Sequence, residues 1–220
     1  MPVLIRGDKA VLFIHIPKTG GSSFERDMAN LGWREVFSIR GMPASRLKFI
    51  KASPQHFSAE LMEGLFNFEE FSSVVCIIRD PFDRLKSAFY YHFRSQVGRF
   101  PPDVPTWIQN TLSATRHNPY HLDNHIRPQV DFLPPGVDCE LFKLEEDGVR
   151  QAQIAACGKY EKQPRKLMHL LGIRNEEREK ISKYDPDIEE AFSSQRSTIA
   201  DFYAADYAAF GYDPAGSFKA

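Results

Sequence analysis

The stretch Ala10-Val11-Leu12-Phe13-Ile14-His15-Ile16-Pro17-Lys18-Thr19-Gly20-Gly21-Ser22-Ser23 decides the fold. Ala10 to Ile16 is an apolar run too short for a helix and stopped by Pro17, which is the pattern of a strand buried on both faces of a parallel sheet. After the glycine pair, Ser22 or Ser23 is placed to cap a helix that carries Phe24, Met28 and Leu31 on one face and ends near Gly32. The order is strand, glycine loop, helix. A helix N-terminus reached through glycines offers backbone N–H groups to an anion, and Lys18 adds a mobile point charge.

A second unit of the same kind begins at Phe71. Ser72 to Ile78 is a β-rich apolar run, and Asp80-Pro81 opens a helix with a favoured N-cap and a proline in its first turn. That helix shows Phe82, Leu85, Phe89 and Phe93 at helical spacing, a core stripe, with Arg84 and Ser87 on its polar face. Between the units, Arg46 to Ala52 reads as a strand and Ser58 to Phe66 as a helix. Gly98 to Pro105 reads as a surface loop and Thr106 to Thr115 as a helix. Farther on, Cys139 to Leu144 reads as a strand followed by a helix from about Asp147 to Ala156. Helices are predicted over Pro164 to Leu171, Asn175 to Lys183 and Pro186 to Ala209. Alternating strands and helices predict an α/β fold, a single domain over residues 1–220 with a mainly parallel central sheet flanked by helices.

Composition narrows the function. Lys plus Arg number 28 against 29 Asp plus Glu, so no global field points to nucleic acid or to a membrane surface, and an anion site has to be local. The three cysteines, Cys76, Cys139 and Cys157, are odd in number and scattered among apolar neighbours, which reads as free thiols and not as a disulfide framework. The opening Met1 to Pro17 is interrupted by Arg6, Asp8 and Lys9 and shows no cleavage-site pattern, and no stretch is apolar enough to span a bilayer. A cytoplasmic chain without an integral membrane segment is the expectation.

The stretch Cys76 to Ser87 supplies a second anion site. Arg79 stands at the carboxyl end of its strand, where ligands gather in open α/β sheets, and Ser87 lies two turns into the next helix. An arginine fork and a hydroxyl there can hold a phosphate, although Arg79 could instead pair with a nearby carboxylate such as Asp83. Two anion sites on two strand ends suit a ligand with phosphates on both sides of one ribose. At this point the sequence resembles the sulfotransferases that use 3′-phosphoadenosine 5′-phosphosulfate (PAPS). Pro17-Lys18-Thr19-Gly20-Gly21-Ser22-Ser23 resembles their P-loop-like 5′-phosphosulfate loop, and Arg79-Asp80-Pro81 with Arg84 and Ser87 resembles their 3′-phosphate motif. The resemblance implies that Lys18, Thr19, Gly20, Gly21, Ser22 and Ser23 hold the phosphosulfate, and that Arg79 and Ser87 hold the 3′-phosphate. The opening Phe13 to Gly21 is most similar to the carbohydrate branch that includes heparan 2-O-sulfotransferases. The later Asp123-Asn124-His125-Ile126-Arg127-Pro128-Gln129 and the aromatic Phe202 to Tyr212 also resemble carbohydrate members.

The reaction so implied is in-line sulfuryl transfer to a hydroxyl acceptor, a carbohydrate on the resemblance, and it needs a proton acceptor. His56, in Pro54-Gln55-His56-Phe57-Ser58, is the candidate base, in a position that resembles that of the family's catalytic histidine, with glutamates of the Glu60 to Glu70 region as the fallback. Lys18 is the second catalytic candidate, stabilising charge on the leaving oxygen. His125 and Arg127 are candidate acceptor contacts. His117, His121 and His125 have helical spacing for a metal, but Pro119 interrupts them, so no metal is expected. The rivals are a P-loop kinase or NTPase, whose motif places lysine after the glycines where here Lys18 precedes them, and a non-catalytic nucleotide-binding module.

Overall fold

The computed structural model describes residues 2–39, 49–93, 103–159 and 185–216. Among these, five strands form one sheet: β1 (Val3–Arg6), β2 (Lys9–Ile14), β3 (Arg34–Val36), β4 (Ser73–Ile78) and β5 (Glu140–Lys143), in the order β3-β1-β2-β4-β5. β2, β4 and β5 run parallel, with Ile14 opposite Cys76 and Cys76 opposite Leu141. β1 pairs antiparallel with both β2 and β3. The expected mainly parallel sheet is therefore corrected to a mixed one. The cause is local: Arg6-Gly7-Asp8-Lys9 folds the chain into a hairpin whose turn opens on Gly7 at φ 64°, a conformation glycine adopts without steric cost.

The long apolar runs alternate faces, as a period of two requires. Leu12, Ile14, Val74, Cys76 and Ile78 pack on one side with Met62, Phe132 and Phe210. Val11, Phe13, Val75 and Ile77 pack on the other, against Phe24 and Met28 of helix α1 (Gly21–Asn30) and Ala152 and Ala156 of helix α5 (Gly148–Cys157). Both faces are covered, which is why the strands carry no alternation of polar residues. Helix α2 (Ala59–Glu63) is shorter than the predicted Ser58 to Phe66, and helix α3 (Pro81–Phe93) starts where the sequence predicts, its Asp83 N–H donating to the Asp80 carboxylate at 3.0 Å.

A second core is helical. Phe82, Leu85 and Phe89 of α3 meet Ile108 and Leu112 of helix α4 (Val104–His117), Ile188 and Phe192 of α6 (Pro186–Ser194), Ile199 of α7 (Arg196–Phe202) and Tyr207 of α8 (Ala204–Phe210). Three short helices thus replace the continuous one predicted over Pro186 to Ala209. α4 begins at Val104, inside the predicted loop, because Pro105 sits in its first turn where a missing N–H costs nothing. Phe49 to Ala52 forms turns and bends instead of a strand, while residues 46–48 and the predicted helices over 164–171 and 175–183 lie outside the described residues. Cys76 and Cys157 are buried and Cys139 is half-buried, and the three are not joined in disulfides.

Candidate active site

Parallel pairing brings the carboxyl ends of β2 and β4 to the same edge, and the chain leaving each end carries one of the two predicted anion motifs. A cavity of about 400 Å³ lies there, lined by both: Lys18, Gly20, Gly21, Ser22 and Ser23 from the first, Arg79 and Ser87 from the second. The two loops are tied directly, since the Arg79 guanidinium Nη1 donates to the Lys18 carbonyl at 3.2 Å. Lys18 takes φ 70° and Gly20 φ 90°, a tight left-handed turn that feeds α1.

Neither serine caps that helix; its N-cap is Gly20, with no side-chain cap bond, so the first turn faces the cavity uncapped. The glycines also have packing reasons. A Cβ on Gly20 would stand 2.8 Å from a Leu144 methyl, and one on Gly21 would stand 2.4 Å from Cδ2 and Nε2 of His15. His15 is itself held, its Nδ1 hydrogen-bonded to the carboxylate of Glu25, and both side chains are buried beneath the loop.

Across the cavity stands His56. A short helical turn over Pro54–His56 sets it, and Asp123 fixes its ring: Nδ1 of His56 lies 2.8 Å from the Asp123 carboxylate. That carboxylate also accepts from the Ser53 backbone N–H at 2.6 Å and from the Ser53 hydroxyl at 2.7 Å. Asn124 donates to the His56 carbonyl at 2.7 Å. The backbone is bent to deliver these contacts, because Leu122, Asp123 and Asn124 all lie in the left-handed region, with φ of 51°, 56° and 63°. Aspartate and asparagine tolerate that region, but Leu122 is strained there, and strain of this kind persists where surrounding structure over-determines it. Burial pulls the His56 imidazole down to about 4 against the upward pull of the Asp123 hydrogen bond. Burial pushes the Asp123 carboxyl up, but its bonds to His56 and Ser53 outweigh this and hold it at about 2. At neutral pH the pair is a neutral imidazole with a lone pair on Nε2, oriented by a carboxylate.

The rings of His15 and His125 each lie 5.1 Å from that of His56, edge to face. Tyr91 stacks on His125 at 5.2 Å, and the Lys18 ammonium sits 4.4 Å from the Tyr91 ring centre, a cation–π contact. His56, Asp123 and His125 also present nitrogen and oxygen atoms within 4.8 Å of one another, the chemistry of a transition-metal site. The Asp123 oxygens are engaged by Ser53 and His56, which is the geometry of a base and its orienting group. Of the three histidines at helical spacing, His117 is exposed and bonded to the Ser113 carbonyl, while His125 lies in the cavity.

The predicted residues Lys18, Gly20, Gly21, Ser22, Ser23, Arg79, Ser87, His56 and His125 thus share one cavity. Thr19 is turned inward, fully buried, its hydroxyl donating to the Ile16 carbonyl at 2.9 Å. Arg127 lines a different cavity. Arg84, placed on the polar face of α3 by its spacing, is fully buried and donates to the carbonyls of Pro17 (3.4 Å), His125 (3.2 Å) and Arg127, pinning the chain just before the glycine loop to the His125 segment. Gln129 brackets the backbone of Arg79, accepting from its N–H at 3.0 Å and donating to its carbonyl at 2.8 Å. Buried Asp206 in turn accepts from the backbone of Gln129 and Val130. Asp123, Gln129 and Asp206 were not singled out by any spacing rule, since their partners lie from 50 to 77 residues away in sequence.

Among the described residues no helix is long and apolar enough to cross a membrane. Comparison with known proteins gives one family: the family model described as "Sulfotransferase family" matches residues 1–213. No curated protein and no solved structure matches the chain.

Proposed function

This chain belongs to the sulfotransferase family, and from that premise we propose that it transfers the sulfuryl group of PAPS to a hydroxyl of a carbohydrate acceptor, with His56 as general base. The observation that carries this reading is the single cavity in which two cationic, hydroxyl-bearing loops face an imidazole oriented by a carboxylate. Lys18, Ser22, Ser23 and the uncapped first turn of α1 suit a 5′ phosphosulfate; Arg79 and Ser87 suit a 3′-phosphate on the other side of the ribose. The volume lies within the roughly 300–1,000 Å³ usual for small-molecule sites.

The proposed step balances simply. The acceptor oxygen bonds to sulfur while the bond from sulfur to the bridging 5′-phosphate oxygen breaks, and the hydroxyl proton passes to Nε2 of His56. Lys18 meets the charge that grows on the leaving phosphate, and Asp123 stabilises the imidazolium that forms. A phosphoryl-transferring P-loop enzyme is disfavoured by the order of its motif, because Lys18 precedes Gly20 and Gly21.

The test is turnover of PAPS to adenosine 3′,5′-bisphosphate with a panel of neutral and acidic glycans, comparing the wild type with His56→Ala. Acceptor-dependent release that falls about 10²–10⁴-fold in the variant, with donor binding kept, is the expected result. Equal turnover in the variant would remove His56 from the reaction.

A further inference from the structure

Arg127 poses a problem that the donor cavity does not solve. Its side chain is nine-tenths buried, its Nε donates to the Asp131 carboxylate at 3.0 Å, and its Nη1 is buried with no hydrogen-bond partner among the described residues. A buried charged donor without an acceptor costs on the order of 1–3 kcal/mol or more, so chains keep one where something else supplies the acceptor. Arg127 lines a second cavity of about 410 Å³, with Thr115 and Arg116 of α4, Asp131, and Asp201 and Phe202 of α7. The Arg116 guanidinium lies 5.3 Å from the Phe202 ring centre, which brings a second fork to the same wall.

We infer that this second cavity is an oxyanion subsite that takes a carboxylate or sulfate ester of the acceptor, with Arg127 as its principal donor. Asp131 engages Nε of Arg127, the Tyr120 ring centre lies 5.8 Å from the guanidinium carbon, and the buried Nη1 has no acceptor among the described residues, so the fork is left one hydrogen bond short, which an oxygen of a planar or tetrahedral anion can supply. Arg116 adds charge from the exposed side. Asp131 and Asp201 share the wall, so the arrangement suits a single negative charge better than a phosphate dianion. The subsite adjoins the reaction centre: His125 lines the donor cavity and Arg127 the second, and two residues of chain reach at most about 7 Å. An acceptor of more than one ring can then place its hydroxyl at His56 and its anion at Arg127. The inference rests on the reading of the chain as a sulfotransferase with an extended acceptor.

The experiment follows the backbone amides of Thr115 and Arg116 by NMR in the full chain, with adenosine 3′,5′-bisphosphate saturating the donor cavity and ionic strength fixed with chloride. The probes are glucuronate and glucose 6-sulfate, with glucose as the uncharged control. Saturable shifts with one or both anions and none with glucose are expected, and the stronger anion identifies the acceptor group. Arg127→Gln should weaken binding at least about tenfold, near 1.4 kcal/mol, and the exposed Arg116→Gln should weaken it less. In Arg79→Ala, which targets the donor site alone, the same anion should titrate unchanged. Equal shifts with glucose, no saturable shift in the wild type, or an unaltered dissociation constant in both arginine variants would overturn the inference. If the bisphosphate itself failed to bind, the donor reading would fall while the anion titration would still be read.

Discussion

His56 has one ring nitrogen engaged by Asp123 and the other left for an acceptor, and this division of labour sets what single substitutions do. Asp123→Asn keeps the shape but removes the charge that stabilises an imidazolium, so sulfuryl transfer should slow while bisphosphate affinity stays constant. Steady-state kinetics beside calorimetry check it, and an equal loss in both would reassign Asp123 to donor binding. Burial keeps the His56 imidazole low, and His92, His121 and His125 are lowered by burial as well. The unfolded chain takes up protons on these groups near 6.5, before the folded chain does, so stability should fall as pH drops from about 6.5 toward 4. Thermal unfolding at stepped pH, with His56→Gln as reference, should show a shallower decline in that window for the variant. Identical profiles would mean that His56 is not held neutral by the fold.

At the scale of elements, the site is held by contacts that cross the chain. Arg84 is the clearest case: one fully buried guanidinium serves carbonyls from Pro17, His125 and Arg127. Arg84→Ala strands those carbonyls and should cost about 3–5 kcal/mol in denaturant unfolding, and lysine, a point charge, should recover little of it. Gly21→Ala drives a Cβ to 2.4 Å from an imidazole that Glu25 holds in place, and should destabilise by about 1–3 kcal/mol. Little loss in either would mean that the loop tolerates movement these contacts forbid. The sequence reads well where a signal is local. The runs of β2 and β4, the Asp80-Pro81 start of α3 and the glycine turn before α1 all appear where their residues predict. It reads poorly where long-range contacts decide. Strand β3 is three residues long and carries no periodicity, β1 looked like a charged N-terminal stretch until Gly7 turned it onto β2, and Arg84 looked solvated by spacing alone. His56 was legible as a candidate residue, and the structure places it in the cavity, but its partner Asp123 was not legible, because only a strained left-handed turn 67 residues later brings that carboxylate to the ring.

For the whole molecule, the mixed sheet has a functional consequence: its antiparallel part widens the scaffold, while its parallel strands β2 and β4 end together and present both cationic loops to one cavity. A ligand bearing anions on opposite sides of a nucleoside should bind that edge as one unit, and losing either loop should cost most of the affinity. The direct measurement is calorimetric titration with adenosine 3′,5′-bisphosphate, with ATP as comparator, on the wild type and Arg79→Ala without magnesium. Metal-independent binding of the bisphosphate in preference to ATP is expected, weakened at least about tenfold in the variant, as the loss of a charge-assisted fork implies. Preferential binding of ATP that requires magnesium, or bisphosphate binding indifferent to Arg79, would contradict it.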